Sequence, residues 1–279
     1  MPKAKVKTAY VCDECGADYP KWQGQCLSCK AWNSLSRVSI GPLAEPGVGF
    51  AGTQSEVKRL ADVAAEEAPR IVTGFHELDR VLGGGLVPGS VVLIGGEPGA
   101  GKSTLLLQMC CQLAAQSETL YVTGEESLQQ LALRASRLSL PMDRLQVASE
   151  TRAEAVAGLI QAAKPGVVIL DSIQVMQLES VESTPGSVTQ VRETAAFFTR
   201  LAKQTGTVIV LVGHVTKEGN LAGPKVLEHM IDCFMMLDSP AASRYRTLRG
   251  VKNRFGAINE LGVFAMTDQG MKEVANPSA

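Results

Sequence analysis

Eight residues, Gly96-Glu97-Pro98-Gly99-Ala100-Gly101-Lys102-Ser103, constrain this chain more than any other stretch. They satisfy the phosphate-binding pattern G-x-x-x-x-G-K-[ST] at every fixed position. The flanks supply the context the pattern needs. Ser90-Val91-Val92-Leu93-Ile94 ahead of it is a β-branched run that reads as a buried strand, and Thr104-Leu105-Leu106-Leu107-Gln108-Met109 behind it opens a helix. In a strand, glycine loop and helix, backbone N–H groups and a helix N-terminus converge on phosphate oxygens. Glycines permit positive φ and close approach of backbone to ligand. Gly96 through Thr104 are therefore the expected nucleotide cradle. Lys102 would reach the β- and γ-phosphates, and the Ser103 hydroxyl would bind Mg²⁺.

The remainder of the chain alternates strand and helix. A short helix is expected over residues 77–81, between turns at Thr73-Gly74 and Gly83-Gly84-Gly85, with His76 on the surface. After the loop helix (102–115), Thr119-Leu120-Tyr121-Val122 reads as a strand running into Gly124-Glu125-Glu126-Ser127. A carboxylate at that strand end is placed to polarise an attacking water, which makes Glu125 the expected base. The same acids also suit the start of the helix over 128–138, and the two readings are compatible. A strand at 145–148 and a helix at 153–163 lead to Val167-Val168-Ile169-Leu170-Asp171, an apolar run ending in a carboxylate. Paired with the glycine loop this is a Walker B arrangement, with Asp171 holding Mg²⁺ through water opposite Ser103.

A polar loop (179–187), an amphipathic helix (189–204) and a buried strand (207–214) follow. His214 ends that strand, beside Thr216, Lys217 and the Gly-rich residues 218–224. It suits either a sensor of the γ-phosphate or a hydrogen-bonded histidine with no such role. A short helix at 226–230 and strands at 233–237 and 248–251 complete the pattern. If the last strand continues, Lys252 and Arg254 point the same way, and on the residues alone they read as a solvated basic strand end. Such alternation indicates an α/β fold with a largely parallel sheet, whose ligands bind beyond the carboxyl ends of the strands. The glycine loop, Glu125, Asp171 and His214 all follow strands, so four strand ends converge on one site.

Seven cysteines without a secretory signal point to a reducing, cytoplasmic setting and to metal rather than disulfides. The basic start at Lys3, Lys5 and Lys7 has no apolar segment behind it, and no apolar run is long enough to span a bilayer. Cys12, Cys15, Cys26 and Cys29 form C-x2-C, ten residues, C-x2-C, which supplies four thiolates for structural Zn²⁺. Iron is the chemical rival, since tetrahedral sulfur suits both metals. Cys110, Cys111 and Cys233 lie in apolar segments and read as core packing. Around the knuckles stand Tyr19, Lys21, Trp22, Lys30 and Trp32. Aromatics mixed with lysines suit stacking on single-stranded nucleic acid, whereas a module this small also needs a core. The two readings are balanced for Trp22, and packing is favoured for Trp32. The formal net charge of −1 means that any nucleic-acid site must be local. Residues 37–68, with the turn-rich Gly41-Pro42 and Pro46-Gly47 and a short helix expected over 56–67, read as the linker holding the domain boundary.

Three stretches make the chain resemble the bacterial RadA (Sms) DNA repair ATPases of the RecA-like superfamily. Pro20-Lys21-Trp22-Gln23-Gly24-Gln25-Cys26 with Trp32-Asn33 resembles their zinc module, and residues 95–106 with Gly124-Glu125-Glu126-Ser127 resemble their ATPase core. Lys252-Asn253-Arg254-Phe255-Gly256 is similar to the family's signature pentapeptide. The resemblance spans residues 8–270. It implies a zinc ribbon at 8–36, a RecA-like P-loop core at 69–270 and a tail at 271–279. Family members usually continue into a Lon-protease-like domain, which this sequence does not include.

The resemblance further implies DNA-stimulated hydrolysis of ATP by a cytoplasmic homo-hexameric ring. That ring would move on single-stranded DNA, promote branch migration of recombination intermediates and work with the recombinase RecA. The nucleotide would lie between subunits, and Lys252 and Arg254 would reach a neighbour's γ-phosphate or contact DNA. The polar residues 179–187 and 217–224, beside the catalytic strands, are further places for DNA. A second function fits the same motifs: an ATP-gated, zinc-containing adaptor that binds DNA or a partner and hydrolyses little. KaiC-like signalling ATPases share the glutamate pair, and the cysteine module argues against that reading.

Overall fold

The computed structural model describes residues 7–40, 59, 69–214, 226–240 and 243–274. The helix expected over 56–67, and Thr216, Lys217 and the Gly-rich loop to residue 224, lie outside the described residues. Strands β1 (Lys7–Cys12), β2 (Asp18–Tyr19) and β3 (Leu35–Ile40) form an antiparallel ribbon in the order β2-β1-β3. Its interior is Cys12, Cys26 and Leu35, with Tyr10, Cys15, Ala17 and Tyr19 packed against them. The expectation that Trp32 supplies core is overturned, because Trp22 is 56% and Trp32 72% exposed. Sulfur atoms and tyrosine rings already fill so small a centre. β3 also runs to Ile40, into residues expected as linker.

The second sheet has nine strands in the order β12-β11-β10-β9-β4-β8-β7-β5-β6. Six are parallel: β4 (Val91–Gly96), β5 (Thr119–Thr123), β6 (Gln146–Ser149), β7 (Val167–Asp171), β8 (Val208–His214) and β9 (Cys233–Asp238). Strands β10 (Tyr245–Asn253), β11 (Leu261–Thr267) and β12 (Gly270–Glu273) extend it antiparallel. On the central strands successive side chains enter opposite layers, as a period of two requires. Val92 and Ile94 of β4 join the cluster that holds α1 (His76–Leu82), α2 (Lys102–Leu113) and α3 (Leu128–Arg137). Val91 and Leu93 face α4 (Ala153–Ala163), α5 (Val188–Thr205) and α6 (Val226–Met230). Both faces are covered, which is why β4, β5 and β7 are mostly apolar and wholly buried.

The antiparallel extension exceeds what the sequence pattern predicts. β10 is longer than the expected 248–251, and β12 carries the sheet into the expected tail at 271–279. β12 is held by Gln108 of α2, whose Oε1 accepts from the Met271 N–H at 2.8 Å while its Nε2 donates to the Met271 carbonyl at 3.2 Å. Helix α3 starts in a capping box: Ser127 accepts from the Gln130 N–H, and the Gln130 side chain accepts from the Ser127 N–H. Glu125 and Glu126 therefore precede the cap and lie outside the helix.

Candidate nucleotide site

The glycine loop joins β4 to α2 on the carboxyl side of the parallel strands. Gly96 is required by crowding, since a Cβ there would meet the Leu237 carbonyl at 2.5 Å. Gly101 is the N-cap of α2 at φ 103°, with no capping side chain and no acid in the first turn. The first N–H groups of α2 are thus left to an anion, which is the fit a phosphate needs. Lys102 Nζ donates to the carbonyls of Gly96 at 2.8 Å and Glu97 at 3.0 Å. Burial lowers its pKa, and the charges of Asp171 and Glu125 act the other way. Arg246 on β10 braces the loop from the far side, its Nε donating to the Ala100 carbonyl at 3.1 Å.

Asp171 ends β7 and is buried. Its Oδ2 accepts from the Tyr121 hydroxyl at 2.5 Å, so Oδ1 remains to take a cation or its water. Tyr121 itself is fully buried, and that burial pushes its pKa well up. Glu125, past the end of β5, is held by one oxygen. Its Oε1 accepts from the Ser172 hydroxyl in a short hydrogen bond and pairs with His214 Nε2 at 3.1 Å. The His214 hydrogen bond is the main cause of a lowered Glu125 pKa; burial opposes it, and Ser172 and the Lys102 charge reinforce it. Oε2 is left to orient a water. Glu126 is engaged differently, in a close ion pair with Arg134 of α3. Of the pair, Glu125 is therefore the one tied to Ser172 and His214.

His214 Nδ1 and Gln174 Oε1 are buried and have no hydrogen-bond partner among the described residues. Gln174 also donates to the His214 carbonyl at 3.3 Å. Two unpaired polar atoms beside the glutamate mark a place where a ligand or water completes the hydrogen bonding. Loop, Glu125, Asp171 and His214 are thus brought together as the four strand ends predict.

Lys252 and Arg254 do point the same way, though a bulge interrupts β10 at Gly250/Lys252. Lys252 Nζ donates to the carbonyls of Glu228, at short range, and Ile231, at 2.8 Å. Arg254 donates to the His229 carbonyl at 3.1 Å and pairs with Asp232 at 3.3 Å. The Arg254 N–H bonds the Asp232 carbonyl, and the Asp232 N–H bonds the Val91 carbonyl. Arg254 thus sits level with the start of β4, about 16 Å along the strand from Gly96. The two basic residues are at the opposite end of the sheet from their own loop.

In the ribbon, Cys12, Cys15, Cys26 and Cys29 present sulfurs all within 4.8 Å of one another. The pairs Cys12–Cys29 and Cys15–Cys26 stand 3.6 Å apart. A tetrahedral thiolate site with metal–sulfur bonds of about 2.3 Å has edges of about 3.8 Å, so the donor set fits one metal ion. The other three cysteines are buried in the core, as expected.

Residues 54–220 match the family model of an AAA domain, and residues 10–37 match a rubredoxin metal-binding domain. The chain belongs to the AAA-domain family. It is 61% identical over 288 residues to the DNA repair protein RadA of Escherichia coli (strain K12), covering 100% of this chain and 62% of that protein. The RadA proteins of Pseudomonas aeruginosa and Bacillus subtilis are 58% and 45% identical, each over 99% of this chain and 61% of their own length. The resemblance to bacterial RadA proteins is thereby borne out, and the chain spans about three fifths of these curated relatives. A KaiC-like protein from Pyrococcus horikoshii OT3 superposes with a TM-score of 0.62 at 17% identity, covering 75% of this chain and 100% of that one. That likeness establishes the RecA-like P-loop fold of the AAA core. Among the described residues no helix is long and apolar enough to cross a membrane.

Sequence reasoning passed over Tyr121, Ser172 and Arg246. Ser172 follows the Walker B aspartate directly and was legible as a polar neighbour. Tyr121 sits inside an apolar strand and Arg246 arrives from another strand, so only the fold reveals their partners.

Proposed function

We propose that this chain is the ATPase part of a DNA repair protein, hydrolysing ATP in response to single-stranded DNA. The single observation that carries the reading is the Glu125 carboxylate, gripped at Oε1 with Oε2 open, within electrostatic reach of Lys102 and the glycine loop. Phosphates would settle on the open N–H groups of α2. Lys102 would exchange its two carbonyl partners for phosphate oxygens. Ser103 and Asp171 would hold Mg²⁺, which supplies charge neutralisation at the phosphates. Glu125 would orient the attacking water and take its proton, and His214 would report the phosphate state to the segment after β8. Zn²⁺ is the proposed metal of the four thiolates, in a structural role.

The organisation proposed is a zinc ribbon running to the end of β3 at Ile40, a linker from 41 to 68 and the ATPase core from 69. Because Lys252 and Arg254 lie far from their own loop, their proposed phosphate is a neighbour's, in a homo-hexameric ring. By likeness to the repair proteins, the ring would move on single-stranded DNA and promote branch migration alongside the recombinase RecA. The own-chain partners of Lys252 and Arg254 favour a second reading, an ATP-gated adaptor with little turnover. ATP hydrolysis measured with and without single-stranded DNA, together with particle mass, separates the two. The motor reading expects DNA-stimulated turnover, lost in Lys102→Ala. Turnover indifferent to DNA would sink it, and DNA-independent, near-zero turnover with ATP-dependent binding would establish the adaptor.

A further inference from the structure

We propose that Trp22 and Trp32 form a stacking slot for one unpaired DNA base, with Lys21 and Lys30 on the adjoining phosphates. This rests on the single-stranded DNA reading above and adds where on the ribbon the strand is held. The slot is built by the backbone. Gln25 bridges Trp32 antiparallel, and the Asn33 N–H donates to the Gly24 carbonyl at 2.7 Å, folding the second knuckle back on itself. Gly24 thereby becomes a floor between two indoles. A Cβ placed on it would lie 3.8 Å from Trp32 Cζ3 and 3.9 Å from Trp22 Cη2, so those ring atoms are under about 8 Å apart. A base laid against Gly24 would be in reach of both indoles, given contact distances of about 3.5–4 Å.

The indoles are not needed for the fold, being 56% and 72% exposed outside the small ribbon core. Two large aromatics left in water on so small a module mark a contact surface. Charge selects the occupant. Between Tyr19 and Ser36 the only charged side chains besides the cysteine thiolates are Lys21 and Lys30, both exposed. Aromatic faces with flanking cations are the combination that holds single strands without reading their sequence.

The chain contains two tryptophans, both in this slot, so its intrinsic emission reports on nothing else. The test titrates the full zinc-loaded chain with oligothymidylate, following tryptophan emission and the anisotropy of a labelled oligonucleotide in parallel. Both should change with the same midpoint. Trp22→Phe and Trp32→Phe each leave one reporter and should each retain quenching. Trp32→Ala should weaken binding about ten-fold, with zinc content unchanged as the check on folding. Lys21→Ala with Lys30→Ala should flatten the salt dependence, by about 0.7 in the logarithmic slope for each lysine that meets a phosphate. DNA-stimulated hydrolysis with unchanged emission would overturn the slot and leave the ATPase reading intact. Emission that ignores oligothymidylate but responds to a partner protein would also overturn it. Failure of DNA both to bind and to stimulate would remove the functional reading as well.

Discussion

Glu125 carries two oxygens in different states, and that difference is the most informative detail at the scale of residues. Ser172 and His214 both address Oε1, which fixes the carboxylate plane and favours its charged form. A carboxylate with a lowered pKa stays ionised as pH falls and protonates only below the ordinary range. Removing a donor raises that pKa, so the carboxylate charge, and with it the proposed base, is lost at a higher pH. Ser172→Ala should therefore move the acid limb of the kcat–pH profile upward, and Ser172→Thr, which keeps the hydroxyl, should restore it. An acid limb unmoved in Ser172→Ala would show that the hydroxyl does not tune the base. Tyr121 occupies only Oδ2 of Asp171 and spares Oδ1.

At the scale of elements, the glycine loop is braced by strands far away in sequence. Gly101 lies against β11 and β12: a Cβ there would fall 2.6 Å from Met266 Cε and 2.8 Å from Met271 Cε, at a φ of 103° that L side chains rarely adopt. The Gln108 bracket on Met271 and the hydrogen bond from Arg246 to Ala100 complete the support. Gly101→Ala should cost about 1–3 kcal/mol in backbone strain alone. It should lower the melting temperature and weaken nucleotide binding together. Normal affinity for a fluorescent ATP analogue in that variant would refute the bracing. The expected helix boundaries, by contrast, agree closely with the sequence, because caps such as Ser127 and Ser187 act locally.

For the whole molecule, Asp232 joins parts that the chain keeps apart. It is 3% exposed and accepts from the Val91 N–H at 3.0 Å, from Lys203 at 2.9 Å and from Arg254 at 3.3 Å. Strand β4, helix α5 and the segment after β10 meet on one carboxylate. Asp232→Ala leaves a buried N–H unpaired, while Lys203 and Arg254 are partly exposed and recover water. The expected loss is about 2 kcal/mol, seen as a fall of about 4–8 °C in melting temperature. An unchanged melting curve would mean that this junction contributes nothing. Releasing Arg254 also tests the shared-site proposal, since the freed side chain is the one expected to reach a neighbour.

The sequence by itself determined the cradle, the order of strands and helices from β4 to β10, and the four cysteines, since each depends on residues close together in the chain. Phosphate binding needs only strand, glycine loop and helix, and a thiolate site needs only two knuckles. Tertiary structure decided the rest. It held Glu125 to Ser172 and His214, because those partners arrive at the ends of β7 and β8, and turned Glu126 to Arg134. It placed Lys252 and Arg254 at the far end of the sheet, because the antiparallel turn into β10 reverses the chain after β9. It left Trp32 in water, because the volume of a ribbon interior cannot be read from its residue types. Local chemistry is written along the chain, whereas partners drawn from distant strands exist only once the sheet has closed around them.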